Sequence, residues 1–468
     1  MTVPSTSAET AGVPEAPGAW PLLGHAPRLL RDRLAFLQDT RGYGDLVAIR
    51  IGPRRAYVVN GLELVRDVLT RRSSQFQLSP QFQLMRRIIG NGLLVTDGAF
   101  HRRQRRLVLP AFHREHVRGY ASVMASLAQN RFDGWREGVL PALDEEFGSL
   151  AAEVVARCLF SSDCDQRTAD RIAEDLPHLM TWVGSRGLDP SGLLARLPTP
   201  VNRRFRTSNT RLHGTVRRII AERRTSGVDG EDLLAMLLRA TDAETGQAMS
   251  DQQVHDEAMT VLAAGTDTVS HTLSWCAYLL ARHPAVQRAM RAEMDQVLAG
   301  RAPCHADMER LPYTRMVISE VLRLYPAGYL VSRAATTDTT VGSHPIAAGS
   351  MLLISYYALQ RAPEHFPDPD AFRPERWSPD RTAERDVPTP GFLPFGLGPH
   401  GCIGEGFAWT QMTMVLAALL THWELLPVSP RPVDPVPTFT LTTGTLPMRI
   451  RRRRATPPMA SPGWLSSR

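Results

Sequence analysis

One cysteine lies in the segment Phe395-Gly396-Leu397-Gly398-Pro399-His400-Gly401-Cys402-Ile403-Gly404, a glycine-rich loop that runs into an apolar stretch of helical length. A lone cysteine is ordinarily a small buried hydrophobe. Three features of this one point elsewhere. Gly398, Gly401 and Gly404 clear side chains from around the sulfur, so a flat cofactor can approach it. The start of the following helix offers N–H groups that favour a thiolate. Phe395 supplies an apolar cover. A thiolate held in this way can act as the axial ligand of a haem iron, where sulfur donation favours O–O cleavage.

Three further groups have chemical potential. Ala264-Gly265-Thr266-Asp267-Thr268 falls in the middle of a long helical stretch, Glu320 and Arg323 stand at i and i+3, and Arg376 follows Phe372-Arg373-Pro374-Glu375. Each has an ordinary alternative. A mid-helix Thr usually bonds back to the carbonyl four residues before it, and an i,i+3 Glu/Arg pair is usually a surface ion pair of little value. Their order along the chain, with Cys402 downstream of all, resembles the cytochrome P450 family. The family's haem signature F-x-x-G-x-[RH]-x-C-x-G is met in full by Phe395, Gly398, His400, Cys402 and Gly404. The other segments are similar to its [AG]-G-x-[DE]-T, E-x-x-R and P-E-R-[FW] motifs. Most members carry Arg where this chain has His400.

The resemblance implies roles for these residues. Cys402 would be the axial ligand of haem b (iron protoporphyrin IX), flanked by Phe395 and Gly404. Ala264 and Gly265 would lie against the haem, Gly265 thinning the helix above the iron. Asp267 and Thr268 would relay protons to dioxygen. Glu320, Arg323 and Arg376 would form a buried charge triad that holds the cysteine loop. His101 and Arg105, at i and i+4, resemble the family's propionate-binding pair, with Arg333 and His400 completing the set. Arg102, Arg103 and Arg106 are expected on a solvated face, or at a docking surface for an acidic redox partner.

The same resemblance places the substrate among Phe82, Leu84, Met85, Ile88 and Leu94, then Ala263, Ala264 and Thr268, then Tyr329, Leu330 and Val331, and finally Thr442 and Thr443. Ordinary core packing is the alternative for each. Most are apolar, which suits a compact hydrophobic substrate oriented by shape; Arg86 or Arg87 is the one candidate carboxylate clamp. The overall cast is similar to bacterial terpene oxygenases, and also to bacterial fatty-acid hydroxylases. A monooxygenase acting on a terpenoid is the favoured expectation. A peroxide-driven haem enzyme and a non-catalytic haem sensor are the other readings. About sixty residues follow Cys402, too few for a reductase domain, so electrons are expected from a separate ferredoxin and its reductase.

These residues need a scaffold, and the sequence outlines one. Residues 251–282 read as a single helix, with Ser250 and Gln253 as a capping box and His283-Pro284 as its end. At about 1.5 Å per residue it would cross a whole domain. Helical periodicity also covers 61–71, 100–133, 145–160, 165–183, 203–225, 230–240 and about 405–421. Residues 47–52 and 55–61 read as a hairpin about Gly52-Pro53, and short apolar runs beyond 330 read as further β hairpins. The expected fold is mainly α with a small β portion, one haem domain over 17–450. Residues 1–16 and 451–468 are expected to be disordered.

Composition narrows the classes. All 54 basic residues among the 468 are Arg, and the net charge is +7. Six of those Arg fall after residue 448 with no acid beside them, which leaves the body of the chain near +1. That disfavours a nucleic-acid partner. Cys158, Cys164, Cys276, Cys304 and Cys402 are scattered without paired spacing, which fits a reducing cytoplasm. No apolar run reaches the length of a membrane anchor. A cytoplasmic monomer is the expectation.

Overall fold

The computed structural model describes residues 12–79, 82, 84–186, 194–227, 230–378 and 390–453. Its axis is the helix Asp251–Arg282, with the bounds expected from its caps. Ser250 Oγ accepts from Gln253 N at 3.3 Å, and Gln253 Oε1 accepts from Ser250 N at 2.8 Å, so two free donors at the helix start are satisfied. Helices Leu143–Phe160, Pro200–Ser226, Pro312–Leu324 and Glu405–His422 pack around it, the first most extensively. A glycine makes that closest crossing possible. A methyl at Gly265 would stand 3.0 Å from Val155 Cγ2. Its missing side chain therefore faces the neighbouring helix.

The β portion is assembled from both ends of the chain. Its main sheet runs, edge to edge, through Leu46–Ile51, Arg54–Val59, Met351–Ser355, Leu330–Ala335 and Phe76–Leu78. The hairpin about Gly52 forms as expected, in register from Leu46↔Val59 to Ile51↔Arg54. The pairing of Arg54–Val59 with Met351–Ser355 is parallel. Almost three hundred residues of mainly helical chain separate those two strands. A second sheet joins Gly138–Leu140, Met448–Arg452 and Trp423–Pro427.

Three expectations about boundaries change. The periodic stretch 61–71 divides into helix Leu62–Arg66 and a widened π turn, Asp67–Arg71. Ala48 N donates to Pro14 O at 2.7 Å and Ala16 N to Ala48 O at 2.9 Å, so residues 14–16 lie along the first strand. At the other end Arg451 and Arg452 complete strand Met448–Arg452, and Arg453 pairs with Asp295. Met448 and Ile450 are buried there, while Arg449, Arg451 and Arg452 are exposed. Residues 1–11 and 454–468 lie outside the described residues.

Candidate active site

The cysteine loop is shaped by its own backbone. Gly398–His400 forms a short 3₁₀ turn, Gly401 N donates to Gly398 O at 2.9 Å, and Cys402 N donates to Phe395 O at 2.8 Å. Gly398 has φ +70°, and a methyl on it would stand 2.0 Å from Leu69 O in the π turn. Gly404 caps helix Glu405–His422, and a methyl there would reach 3.9 Å from Cys402 Sγ. Gly398 thus serves backbone packing, while Gly404 keeps space beside the sulfur. Phe395 is half-buried and packs near Trp409, with ring centroids 6.1 Å apart.

Cys402 is solvent-accessible, yet protein atoms crowd it closely enough that burial pushes its thiol up to about 11. The Gly404 N–H and the Arg105 charge act in the opposite direction and are outweighed. The helix terminus therefore does not by itself produce a thiolate, contrary to expectation. Coordination to a metal does so outright. The long helix supplies the complementary surface. It is buried from Val254 to Ala263 and from Thr272 to Ala281, but Ala264, Gly265, Asp267, Thr268 and His271 keep accessible surface. The helix is thus accessible at its centre as well as at its two ends.

Basic side chains gather around the cysteine loop. Arg105 Nη1 donates to Gly401 O at 2.7 Å. His101 stacks on His400 with ring centroids 4.1 Å apart. His400 Nε2 lies 3.2 Å from Asp97 Oδ1 and 3.3 Å from Thr96 O. Asp97 also accepts from Leu78 N at 3.0 Å, and Leu78 is paired across the sheet with Arg333. Arg333 is 7% exposed and donates to Ser332 O. Burial first, then the neighbouring His400 and Arg105, push His101 down to about 4, so at neutral pH it is an uncharged hydrogen-bonding group. Two arginines and two histidines against one carboxylate suit a dianionic ligand beside a sulfur donor, and haem has that donor requirement.

The charge triad is built as expected and is larger than expected. Glu320 and Arg323 are both fully buried. Arg323 donates to Glu320 from Nε at 2.9 Å and from Nη2 at 2.8 Å, and Arg376 Nε adds a third bond at 2.9 Å. Trp377 Nε1 and Arg373 N complete five donors to one carboxylate. Gln360 links this cluster to the cysteine loop. It donates to Leu322 O and Arg323 O and accepts from Leu393 N at 2.8 Å. Trp377 is the last residue of the P-E-R-[FW] segment, whereas Gln360 carries no local signal that sequence reasoning could have used for its bonds.

Asp267 and Thr268 are not joined to each other. Thr268 Oγ1 donates back to Ala264 O at 2.8 Å, the ordinary mid-helix bond. Asp267 Oδ2 instead accepts from Thr440 Oγ1 at 2.5 Å. Of the substrate candidates, Phe82, Leu84, Leu94, Leu330, Val331 and Thr442 keep accessible surface. Phe82 meets Phe439 edge to face at 6.3 Å. Met85, Ile88, Ala263, Tyr329 and Thr443 are buried. Tyr329 spends its hydroxyl on Thr438 O and Arg33. Both proposed clamps are engaged: Arg86 donates to Val95 O, and Arg87 lies over Trp182. Arg103 and Arg106 hold the segment 242–248 through Gln247 O, Ala248 O, Asp242 and Glu244, so of that run only Arg102 lies free for docking among the described residues.

The helical frame, the buried Glu–Arg cluster and the cysteine at the head of a core helix define a haem-thiolate class of protein. Comparison with known proteins agrees. The cytochrome P450 family model matches residues 14–450. Cyclooctatin synthase of Streptomyces melanosporofaciens is 41% identical, over 92% of this chain and 94% of its own. Cyclooctat-9-en-7-ol 5-monooxygenase of the same organism is 40% identical over 95% and 98%, and pentalenene oxygenase of Streptomyces avermitilis 37% over 94% and 96%. A solved cytochrome P450DA haem domain superposes with a TM-score of 0.85 at 27% identity, covering 95% of this chain and 98% of that one. The chain belongs to the cytochrome P450 family and is a monooxygenase. No helix among the described residues is long and apolar enough to cross a membrane.

Proposed function

We propose that this monooxygenase inserts one oxygen atom from dioxygen into a terpenoid, a hydrophobic polycycle or its alcohol. The overall reaction takes substrate C–H, O2, two electrons and two protons to substrate C–OH and water. The observation that carries the reading is 37–41% identity, over nearly full length, to enzymes named for cyclooctatin, cyclooctat-9-en-7-ol and pentalenene. The accessible Phe82, Leu84, Leu94, Leu330 and Val331 are consistent with recognition by shape. Haem b, bound through Cys402, supplies the dioxygen activation. Arg105 and Arg333 supply charge to its propionates, and His101 and His400 supply hydrogen bonds. Asp267 and Thr268 pass protons to the reacting oxygen. Electrons come from a separate ferredoxin and its reductase. Five free cysteines support a cytoplasmic, reducing setting.

A spectral screen tests this reading. Diterpene alcohols and sesquiterpene hydrocarbons should convert the haem from low to high spin, and saturated fatty acids should not. With a surrogate ferredoxin, its reductase and dioxygen, the bound terpenoid should gain one oxygen. A spin shift confined to fatty acids would overturn the substrate class. Equal turnover with hydrogen peroxide alone would overturn the need for a proton relay and redox partners.

A further inference from the structure

Asp267 is held from outside the long helix, by a turn that arrives from far along the chain. Its carboxylate is 13% exposed, and among the described residues no arginine pairs with it. Thr440 Oγ1 donates to Asp267 Oδ2 at 2.5 Å, the length of a charge-assisted O–H···O bond. The same hydroxyl lies 2.9 Å from His271 Nδ1, and His271 is 3.8 Å from the carboxylate. A hydroxyl has one proton. Since Thr440 gives its proton to Asp267, its oxygen must accept from His271, which fixes a proton on Nδ1. Three atoms therefore make a directed chain, from Nδ1–H to Oγ1–H to Oδ2.

The turn cannot easily drift from this position. Asp267, His271 and Trp275 occupy i, i+4 and i+8 on one face of the long helix, and Trp275 Nε1 donates to Leu441 O at 3.0 Å. Leu441 N donates to Ala327 O at 3.1 Å, Tyr329 Oη to Thr438 O at 3.0 Å, and both Thr438 N and Thr438 Oγ1 to Thr440 O. Thr440 is 2% exposed, whereas the His271 side chain is 20% exposed. The chain thus runs from an accessible imidazole, through a buried hydroxyl, to the carboxylate.

We propose that His271 and Thr440 are positioning residues for Asp267 and form the outer half of its proton relay. To deliver a proton, Oδ2 takes the Thr440 hydroxyl proton as Oγ1 takes the Nδ1 proton and Nε2 takes one from solvent, and Asp267 then passes its proton inward and is a carboxylate again. The ring returns to its Nδ1–H form by exchange with solvent. No charge is left on Thr440. Histidine suits the outer place because its ring can take a proton at one nitrogen while giving one up at the other. This rests on the monooxygenase reading, in which Asp267 and Thr268 deliver protons.

The test uses haem-loaded enzyme, a plant-type ferredoxin, its reductase, and geranylgeraniol as the probe, with rates normalised to the haem–CO signal. Thr440→Val and His271→Phe should each raise the fraction of consumed oxygen that leaves as peroxide, slow oxygen consumption by about tenfold, and enlarge the solvent deuterium isotope effect. Thr440→Ser, which keeps the hydroxyl, should restore wild-type partition. The ¹⁵N spectrum of the diamagnetic ferrous–CO enzyme gives a second readout that needs no variant, and should show a protonated, hydrogen-bonded Nδ1 at His271. Wild-type peroxide fraction and isotope effect in both variants, with Asp267→Asn impaired, would overturn the proposal and leave the monooxygenase reading intact. An unimpaired Asp267→Asn would overturn both relay halves. A bare Nδ1 would overturn the direction of the chain.

Discussion

The α-carbon of Gly398 passes the carbonyl of Leu69 so closely that a methyl built on it would stand 2.0 Å from the oxygen. The cysteine loop is keyed to the π turn Asp67–Arg71 by backbone contact, at a residue whose φ of +70° also disfavours any side chain. Gly398→Ala should displace the loop and lose most haem incorporation. The CO-difference signal per mole of purified protein measures this. Full incorporation would show that the contact yields without cost.

Glu320 is a single carboxylate with five donors, two of them from a fully buried Arg323. Glu320→Ala strands that guanidinium in the core and should cost about 3–5 kcal/mol. Gln360→Ala removes the link to Leu393 N and should cost about 2 kcal/mol. Urea midpoints of the holoenzyme should fall in that order. A Gln360 variant as damaged as the Glu320 variant would place the weight of the network on the link.

Glu257 on the long helix accepts from Leu93 N and Gln104 Nε2, and burial pushes its carboxyl up to about 7 from an ordinary 4.5. A raised folded-state value means that stability from this group is complete below about 4.5 and is lost as pH rises through 7. The full excursion is worth about 3 kcal/mol. Glu257→Gln should therefore flatten the pH dependence of Tm between these limits. A parallel Tm profile for wild type and variant would show that Glu257 is ionised throughout.

Thr268 donates its hydroxyl to Ala264 O, so the group is present but spent on its own helix. Thr268→Ala should divert electrons into peroxide, while Thr268→Ser should not. Peroxide formed per NADPH oxidised checks it, and unchanged coupling in the alanine variant would remove Thr268 from the relay.

Arg106 reaches the buried carboxylate of Asp242 at 3.0 Å and Glu244 at 2.8 Å. Arg106→Ala should lower Tm and leave the KM for ferredoxin unchanged. Arg102→Ala should do the reverse if this face meets the redox partner. Steady-state kinetics at two salt concentrations, with a melting curve for each variant, separate the two roles.

The motif residues and the long helix were legible because their chemistry is local. Spacing alone pairs Glu320 with Arg323 one turn apart, and caps at Ser250 and His283 delimit a 32-residue helix. The same locality misled at Arg451 and Arg452, where a cationic run suggested a free tail although both residues pair with strand Trp423–Pro427.

By itself the sequence determined the cofactor class, through one cysteine among three glycines, and the helix that faces it. The tertiary structure decided what surrounds them. Thr440 meets Asp267 from 173 positions away, Gln360 ties the buried ion pair to Leu393, and burial outweighs the helix terminus at Cys402. Each of these depends on distance and dehydration between segments that share no local pattern, and only the folded chain sets those quantities.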